Sequence, residues 1–261
     1  RDVLGSRGLG DVYKRQNVHS KVQEKRKKVT FNTMQIIAFG FLGVIFLGSI
    51  LLYLPISNQE PIAYLDALFV SVSAVCVTGL VTVFPAAQFT LFGKVVLLGL
   101  IQIGGLGVIA CTMAVFLAIR KKITMKSRVM IQQTYNLETL SGMVRFIIRI
   151  LKGTVLVEGI GAVLFAFHFV PEYGFIKGVA YGIFHSVSAF CNAGIDLMGY
   201  YSPSSSLITA GDSYLVGLTI AGLIIIGGIG FLVWEDLKKW KWHIRSYKLH
   251  TKLSLIHISE P

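Results

Sequence analysis

The stretch FVSVSAVCVTGLV, Phe69–Val81, decides the fold, because its pattern returns as FHSVSAFCNAGID at Phe184–Asp196. Both copies fit Phe-x-Ser-Val-Ser-Ala-x-Cys-x-x-Gly, and both end a short apolar segment. Self-similarity of this kind indicates an internal repeat. We therefore interpret the chain as two related units.

The composition indicates a membrane protein. Of the 261 residues, 54% are hydrophobic, and the run Thr33–Leu54 carries no charge before it meets Pro55. Such a run is long enough to cross a bilayer as one helix. Further spanning runs are predicted at Val95–Ile119, in a segment that ends at Val170 before Pro171, and at Tyr214–Trp234.

Two apolar segments are too short to span. Tyr64–Val75 and Val179–Phe190 are each about a dozen residues long, which suits re-entrant helices better than crossings. Each lies between two spanning runs. The predicted fold class is an all-α membrane protein with two parallel helix–re-entrant pore loop–helix repeats.

The positive charges lie in blocks. The chain has 25 Lys and Arg against 13 Asp and Glu, concentrated in Lys21–Lys28, in the linker between the units and after Trp234. The positive-inside rule places these blocks, and both termini, in the cytoplasm. Anionic membrane lipids explain the blocks without a nucleic-acid partner.

The domain organisation follows from these patterns. The two ends share no pattern with the rest, and we expect them to be non-native flanks. The predicted segments are a flank at 1–16, a first repeat at 17–122, a cytoplasmic linker at 123–145, a second repeat at 146–240, a basic tail at 241–253 and a flank at 254–261.

The stretch after each short segment favours a cation. A helix that dips from the outer side points its partly negative C-terminal end toward the bilayer centre. Gly79 and Gly194 allow backbone angles that turn successive carbonyls toward one axis. Such oxygens replace the water shell of K⁺ in potassium filters. The alternative is a purely structural re-entrant pair with ordinary turn glycines.

Two glycine runs, GGLG and GGIG, are predicted to let the second helix of each unit pack against the re-entrant segment. No strand precedes them, so a dinucleotide site is a weak alternative. The packing residues are Gly104, Gly105, Gly107, Gly227, Gly228 and Gly230.

Glu158 lies inside a spanning run, where acids are usually paired or functional. We expect an ion pair with Arg149 or Lys152, or a hydrogen bond between helices, and keep a transport role as the alternative. His168 and His185 are interpreted as interfacial polar residues.

The cysteines have no spacing typical of zinc or redox sites. We expect all of them to be small buried packing residues without a disulfide. They are Cys76, Cys111 and Cys191.

Four motifs carry a family resemblance: SAVCVTGL, IQIGGLG, LSGMVRFIIRILKGTVLVEGIGA and SAFCNAGIDLMG. They resemble the membrane subunit of Ktr-type potassium uptake systems in the Trk/Ktr/HKT superfamily. The resemblance implies four helix–loop–helix units around one pore, with K⁺ held by backbone carbonyls alone. The coordinating segments would be Cys76, Val77, Thr78, Gly79 and Leu80, then Cys191, Asn192, Ala193, Gly194 and Ile195.

The same resemblance implies a transporter of the plasma membrane and not an enzyme. It implies a cytosolic nucleotide-binding regulatory subunit, a homodimer, no covalent cofactor, and Na⁺ as a candidate activator. This chain departs from the family in having two units, so we expect an N-terminal half that does not conduct alone. The alternative is that two copies of the chain assemble. The alternatives are a non-conducting membrane anchor for a cytosolic regulator and a secondary transporter of another cation.

Overall fold

The computed structural model describes residues 33–119, 129, 132, 143–198, 207, 213–240 and 247–259. Within these residues, the uncharged runs form helices. The predicted first flank and most of the linker lie outside these residues. The helices are α1 Thr33–Tyr53, α2 Tyr64–Cys76, α3 Pro85–Gln88, α4 Leu91–Leu106, α5 Val108–Ala118, α6 Met143–Tyr173, α7 Phe175–Phe190, α8 Tyr214–Gly228, α9 Phe231–Trp240 and α10 Leu249–Ser259.

No β-strand occurs among these described residues; an isolated bridge joins Asn58 to Phe89. Two stretches are long and apolar enough to cross a membrane, Met34–Tyr53 in α1 and Val144–Tyr173 in α6. The pair α8 and α9 counts as a third when taken as one bent span. The chain is therefore all-helical in its described part, with helices suited to a membrane.

The helix ends differ from the prediction at one proline. α1 ends at Tyr53, two residues before Pro55. This is expected, because a proline disfavours helical backbone angles in the residue before it. α6 instead continues through Pro171 to Tyr173, and the prediction that the run stops before this proline was wrong. The turn comes at Gly174, whose φ of 82° is left-handed and open to glycine.

The second helix of each unit is broken, whereas the sequence predicted continuous spans over Val95–Ile119 and Tyr214–Trp234. Gly107 separates α4 from α5 with a φ of 84°, and Gly230 precedes α9 with a φ of 90°. Such angles end a right-handed helix, and glycine adopts them without a steric penalty. The axis turns by 90° between α8 and α9.

One core joins residues from both quoted stretches. It contains Val70, Ala74 and Val75 of α2 together with Phe184 and Val187 of α7. A smaller cluster connects α5 to the beginning of α6. Outside these clusters, large apolar side chains of α1 and α6 are exposed, which is the surface that lipid would cover. They include Phe39, Phe46, Leu47, Val155, Ile160, Val163 and Phe167.

Candidate functional site

A buried serine fastens each short helix to the long helix before it. Ser71 of α2 donates a hydrogen bond from Oγ to the carbonyl oxygen of Ile45 in α1, at 2.8 Å. Ser186 of α7 donates in the same way to the carbonyl oxygen of Glu158 in α6, at 2.6 Å. These serines correspond in the repeated pattern, so both short helices are held by the same contact.

A glycine in the long helix makes room for each of these serines. A Cβ atom at Gly48 would lie 2.7 Å from Ser71 Oγ, and one at Gly161 would lie 2.5 Å from Ser186 Oγ. The sequence pattern alone predicted no such contact for these glycines and serines. The signal that could have found them is the serine in the repeated pattern.

The two stretches leave their helices through the same backbone path. Val77 and Asn192 both have a φ of 58°, and two residues later Gly79 and Gly194 have φ values of 77° and 67°. A β-branched residue such as Val77 is rare in this left-handed region, which costs conformational energy. Asparagine tolerates it better because its short side chain can form local hydrogen bonds.

Matching hydrogen bonds hold these turns. The N–H of Thr78 donates to the carbonyl oxygen of Ser73 at 2.9 Å, and the N–H of Ala193 donates to that of Ser188 at 2.8 Å. The hydroxyl contacts differ, because Thr78 Oγ1 donates to Ser73 Oγ at 2.9 Å while Ser188 Oγ donates to the carbonyl oxygen of Ile195 at 2.5 Å. The backbone path is therefore shared although the side chains are not.

The two turns adjoin each other at their glycines. A Cβ atom at Gly79 would lie 2.5 Å from the carbonyl oxygen of Ala193 and 3.6 Å from the Cα of Gly194. A Cβ atom at Gly194 would lie 4.0 Å from the Cα of Gly79. The structure thus brings two predicted site segments together although more than a hundred residues separate them. It leaves Cys76, Thr78, Leu80, Asn192 and Gly194 exposed, Val77 and Gly79 half-buried, and Cys191, Ala193 and Ile195 buried.

The site offers oxygen ligands at the ends of two helices. α2 and α7 both direct their C-termini into these turns, and a helix C-terminus carries partial negative charge. No cluster of three or more His, Cys, Asp or Glu side chains able to hold a metal occurs in the described ranges. The partial negative charge at the two helix ends favours a cation between the turns.

Three glycines of the GGLG and GGIG runs lie against the short helices α2 and α7 or the turns after them. A Cβ atom at Gly104 would overlap the carbonyl oxygen of Val75, and one at Gly227 would overlap that of Phe190. At Gly105 it would overlap the side chain of Cys191 in the other unit. α4 therefore approaches the ends of both α2 and α7.

The other three run glycines are placed differently. Among the described residues, Gly228 has the side chain of Asn192 alone within reach of an added Cβ, at 3.5 Å. Gly107 and Gly230 have no atom of a described residue within 4 Å of such a Cβ, and their left-handed φ values mark the helix breaks. The predicted packing role therefore does not describe these two, whose sequence signal was the breaking tendency of glycine.

Glu158 makes a hydrogen bond between helices. Gln102 Nε2 of α4 donates to Glu158 Oε1 at 3.0 Å, and Glu158 is buried. Arg149, one of the predicted ion-pair partners, instead pairs with Glu235 of α9 at 2.5 Å. The structure thus contains the second of the two predicted contacts, and Gln102 is a partner that the sequence did not reveal.

His185 is buried, and its interpretation as an interfacial residue was wrong. The backbone N–H of Leu197 donates to Nε2 at 3.3 Å, so we place the proton on Nδ1, which lies 2.7 Å from the carbonyl oxygen of Tyr181. The ring also contacts Phe169. His168 packs its ring edge-on against Phe169 as well.

The cysteines differ in exposure. All three are free, and Cys191 is buried as predicted, whereas Cys111 is half-buried and Cys76 is exposed. The prediction was wrong for Cys76 because it is the last residue of α2, where the described chain leaves its side chain uncovered.

Comparison with known proteins gives a family match over nearly the whole chain. Residues 13–258 match the family model TrkH, described as a cation transport protein. The match extends into both segments predicted to be flanks, and α10 continues through the beginning of the second one.

Individual relatives agree with this match. The potassium/sodium uptake protein NtpJ of Enterococcus hirae is 39% identical over 236 residues, which is 90% of this chain and 51% of the relative. Ktr system potassium uptake protein B of Bacillus subtilis is 39% identical over 229 residues, 88% of this chain and 50% of the relative. Its namesake in Vibrio alginolyticus is 35% identical over 233 residues, 89% of this chain and 50% of the relative. The chain spans about half the length of these relatives.

Proposed function

The chain belongs to the TrkH family of cation transport proteins, and from that premise we propose that it forms part of a pore for potassium uptake across the plasma membrane. It contributes two helix–re-entrant loop–helix repeats, 17–122 and 146–240, joined by the cytoplasmic linker 123–145. Four relatives bear names of potassium uptake proteins, which supports K⁺ as the transported ion.

The observation that carries the proposal is the adjacency of two turns with one backbone path. Val77 and Asn192, then Gly79 and Gly194, repeat the same left-handed angles, and the glycines face each other. Alternating angles of this kind expose successive carbonyls, which can replace the water shell of K⁺. The proposed ligands are the main-chain oxygens of 76–80 and 191–195.

The helix dipoles support the same site. α2 and α7 both end at the turns, so their partial negative charges add where the cation would lie. Two of the four units do not enclose a pore. We propose that two further repeats complete it in the full-length protein.

The remaining parts of the proposal concern partners and placement. Both termini and the linker face the cytoplasm by the positive-inside rule. A cytosolic nucleotide-binding regulatory subunit is proposed because three relatives are named as components of Ktr systems, and a homodimer is proposed with it. One relative is named a potassium/sodium uptake protein, which supports Na⁺ as a second transported ion. An activating role of Na⁺ is proposed on the family resemblance alone. The family and its relatives are transport proteins and not enzymes.

Potassium uptake in cells that lack their own uptake systems tests the filter. In the full-length protein, Gly79→Val and Gly194→Val should each reduce K⁺ uptake at least tenfold or remove the preference for K⁺ over Na⁺. The reason is that a β-branched residue does not adopt the left-handed angle, and at Gly79 it also meets the carbonyl of Ala193.

The matched controls are Gly99→Val and Gly217→Val, because a Cβ atom at either of these helical glycines meets no described residue within 4 Å. Both should keep uptake near the wild-type level at equal abundance in the membrane. Wild-type uptake and selectivity after replacement of both Gly79 and Gly194 would reject the filter.

A secondary cation transporter is the second candidate, and the broken helices favour it. Discontinuous spanning helices build the solute sites of such transporters, and α4–α5 and α8–α9 are both interrupted. The discriminating measurement is the same double glycine replacement. A solute site at the breaks predicts uptake that survives changes at Gly79 and Gly194 but fails when Gly107 and Gly230 are replaced.

A further inference from the structure

A groove of about 370 Å³ lies between the first half of α6 and α9. Its apolar wall includes Ile150, Phe231 and Trp234. Gly153 allows the indole to lie against α6, since a Cβ atom there would meet Trp234 Cζ3 at 2.9 Å. Trp234 Nε1 donates to the carbonyl oxygen of Ile226 at 3.0 Å, so the ring is held in place and the apolar wall is preformed.

The rim of this groove is cationic. Arg149, Lys152 and Lys238 line it together with one carboxylate, Glu235, which pairs with Arg149. Lys152 and Lys238 are exposed and form no hydrogen bond or ion pair with another described residue. Two positive charges therefore lie beside an apolar wall, and no carboxylate of the described residues pairs with them.

The position of the groove fits the boundary between head groups and acyl chains. α9 turns by 90° from α8, so a membrane-crossing α8 places α9 near the plane of the bilayer. On α6, Leu156 lines the groove and is 64% exposed, and the helix continues from there as an apolar, lipid-facing surface. The orientation in the proposed function places this boundary on the cytoplasmic side.

We propose that the groove binds one anionic phospholipid of the cytoplasmic leaflet. Its phosphate lies between Lys152 and Lys238, and an acyl chain follows Trp234 and Leu156. Basic pockets between membrane helices on this side recognise anionic head groups. A zwitterionic lipid carries its own cation toward the two lysines and is disfavoured. A soluble protein partner would match the charges but would leave the wall at Leu156 uncovered.

Native mass spectrometry of the purified full-length protein tests the site, with phosphatidylglycerol and phosphatidylcholine of identical acyl chains as probes. The wild type should retain phosphatidylglycerol in preference to phosphatidylcholine. Lys152→Gln combined with Lys238→Gln should weaken phosphatidylglycerol retention roughly tenfold, because each lysine near the surface contributes to anion binding. Lys239→Gln is the matched control, since it removes the same charge from α9 outside the groove.

A third variant should change phosphatidylglycerol retention in the opposite direction. Glu235→Gln removes the carboxylate and releases Arg149 toward the phosphate, so phosphatidylglycerol retention should rise several-fold, which a general loss of folding would not produce. Unchanged retention in the double lysine variant, or equal retention of the two lipids by the wild type, overturns the proposal. Loss of regulatory-subunit binding with unchanged lipid retention overturns it in favour of a protein partner. Because retention is measured without ion flux, its outcome is independent of whether the filter proposal survives.

Discussion

At the residue scale, Val77 and Asn192 show that the backbone path is imposed from outside the residue. Their side chains have opposite preferences for left-handed angles, yet both have a φ of 58°. The N–H of the following residue is held by a serine carbonyl in each case. The turn is therefore specified by Ser73 and Ser188 and by the packing around them, and the strain at Val77 is compensated there.

Glu158 is predicted to act through its hydrogen bond with Gln102. Glu158→Gln keeps an acceptor oxygen for Gln102 Nε2, whereas Glu158→Leu leaves that donor unpaired inside the protein. We expect Glu158→Leu to lower the free energy of unfolding by about 1 kcal/mol and Glu158→Gln to leave it nearly unchanged. Thermal unfolding in detergent measures this.

The pair Glu158→Leu and Gln102→Leu completes the test. Their combined effect should be smaller than the sum of the single effects, since both remove one bond. If folded Glu158→Gln protein loses K⁺ uptake, the charge and not the hydrogen bond is required, and the transport role would replace the structural one.

At the element scale, the close approach of α8 to the end of α7 depends on one position. A Cβ atom at Gly227 would overlap the carbonyl oxygen of Phe190, which moves only with α7. Gly227→Ala should therefore destabilise the protein by several kcal/mol, on the order of an overpacked core. Yield of monodisperse protein and the midpoint of thermal unfolding are the measurements.

Gly222→Ala is the control on the same helix, because its Cβ would meet no atom of the described part of the chain within 4 Å. This variant should be neutral or more stable by up to about 1 kcal/mol, since alanine favours helix over glycine. Equal stability of the Gly227 and Gly222 variants would show that α8 does not approach α7 as closely as the structure has it.

At the scale of the whole molecule, equivalent contacts recur in both units. The hydrogen bond from Ser71 to the carbonyl of Ile45 matches the one from Ser186 to the carbonyl of Glu158. The close approach of Gly104 to Val75 likewise matches that of Gly227 to Phe190. The contact of Gly105 with Cys191 joins one unit to the other. These correspondences support the proposal that the two units share one orientation in the membrane.

Cysteine labelling in intact cells tests that orientation. In a background without native cysteines, Gln59→Cys and Lys177→Cys should react with an impermeant maleimide from outside. Lys152→Cys and Lys238→Cys should react only after the cells are permeabilised, because the positive-inside rule places them in the cytoplasm. All four positions are exposed, so access depends on the side of the membrane alone. Labelling of Lys152→Cys in intact cells would invert the proposed topology.

The amino-acid sequence by itself determined which segments are helical, the repeated stretches and the glycines at their ends, although not the breaks at Gly107 and Gly230 or the continuation of α6 through Pro171. These are local properties, because the length of an apolar run and the freedom of a glycine depend on few neighbours. It also placed Gly79 and Gly194 at equivalent positions, although it did not show that they adjoin.

Only the tertiary structure decided which distant segments meet. It made Gln102 the partner of Glu158, 56 residues away, exposed Cys76, buried His185 and turned α9 by 90° from α8. Each of these depends on how the side chains of one helix fit against another, and that fit involves the whole set of helices at once. A pattern read along one segment contains no information about the surface that the segment will contact.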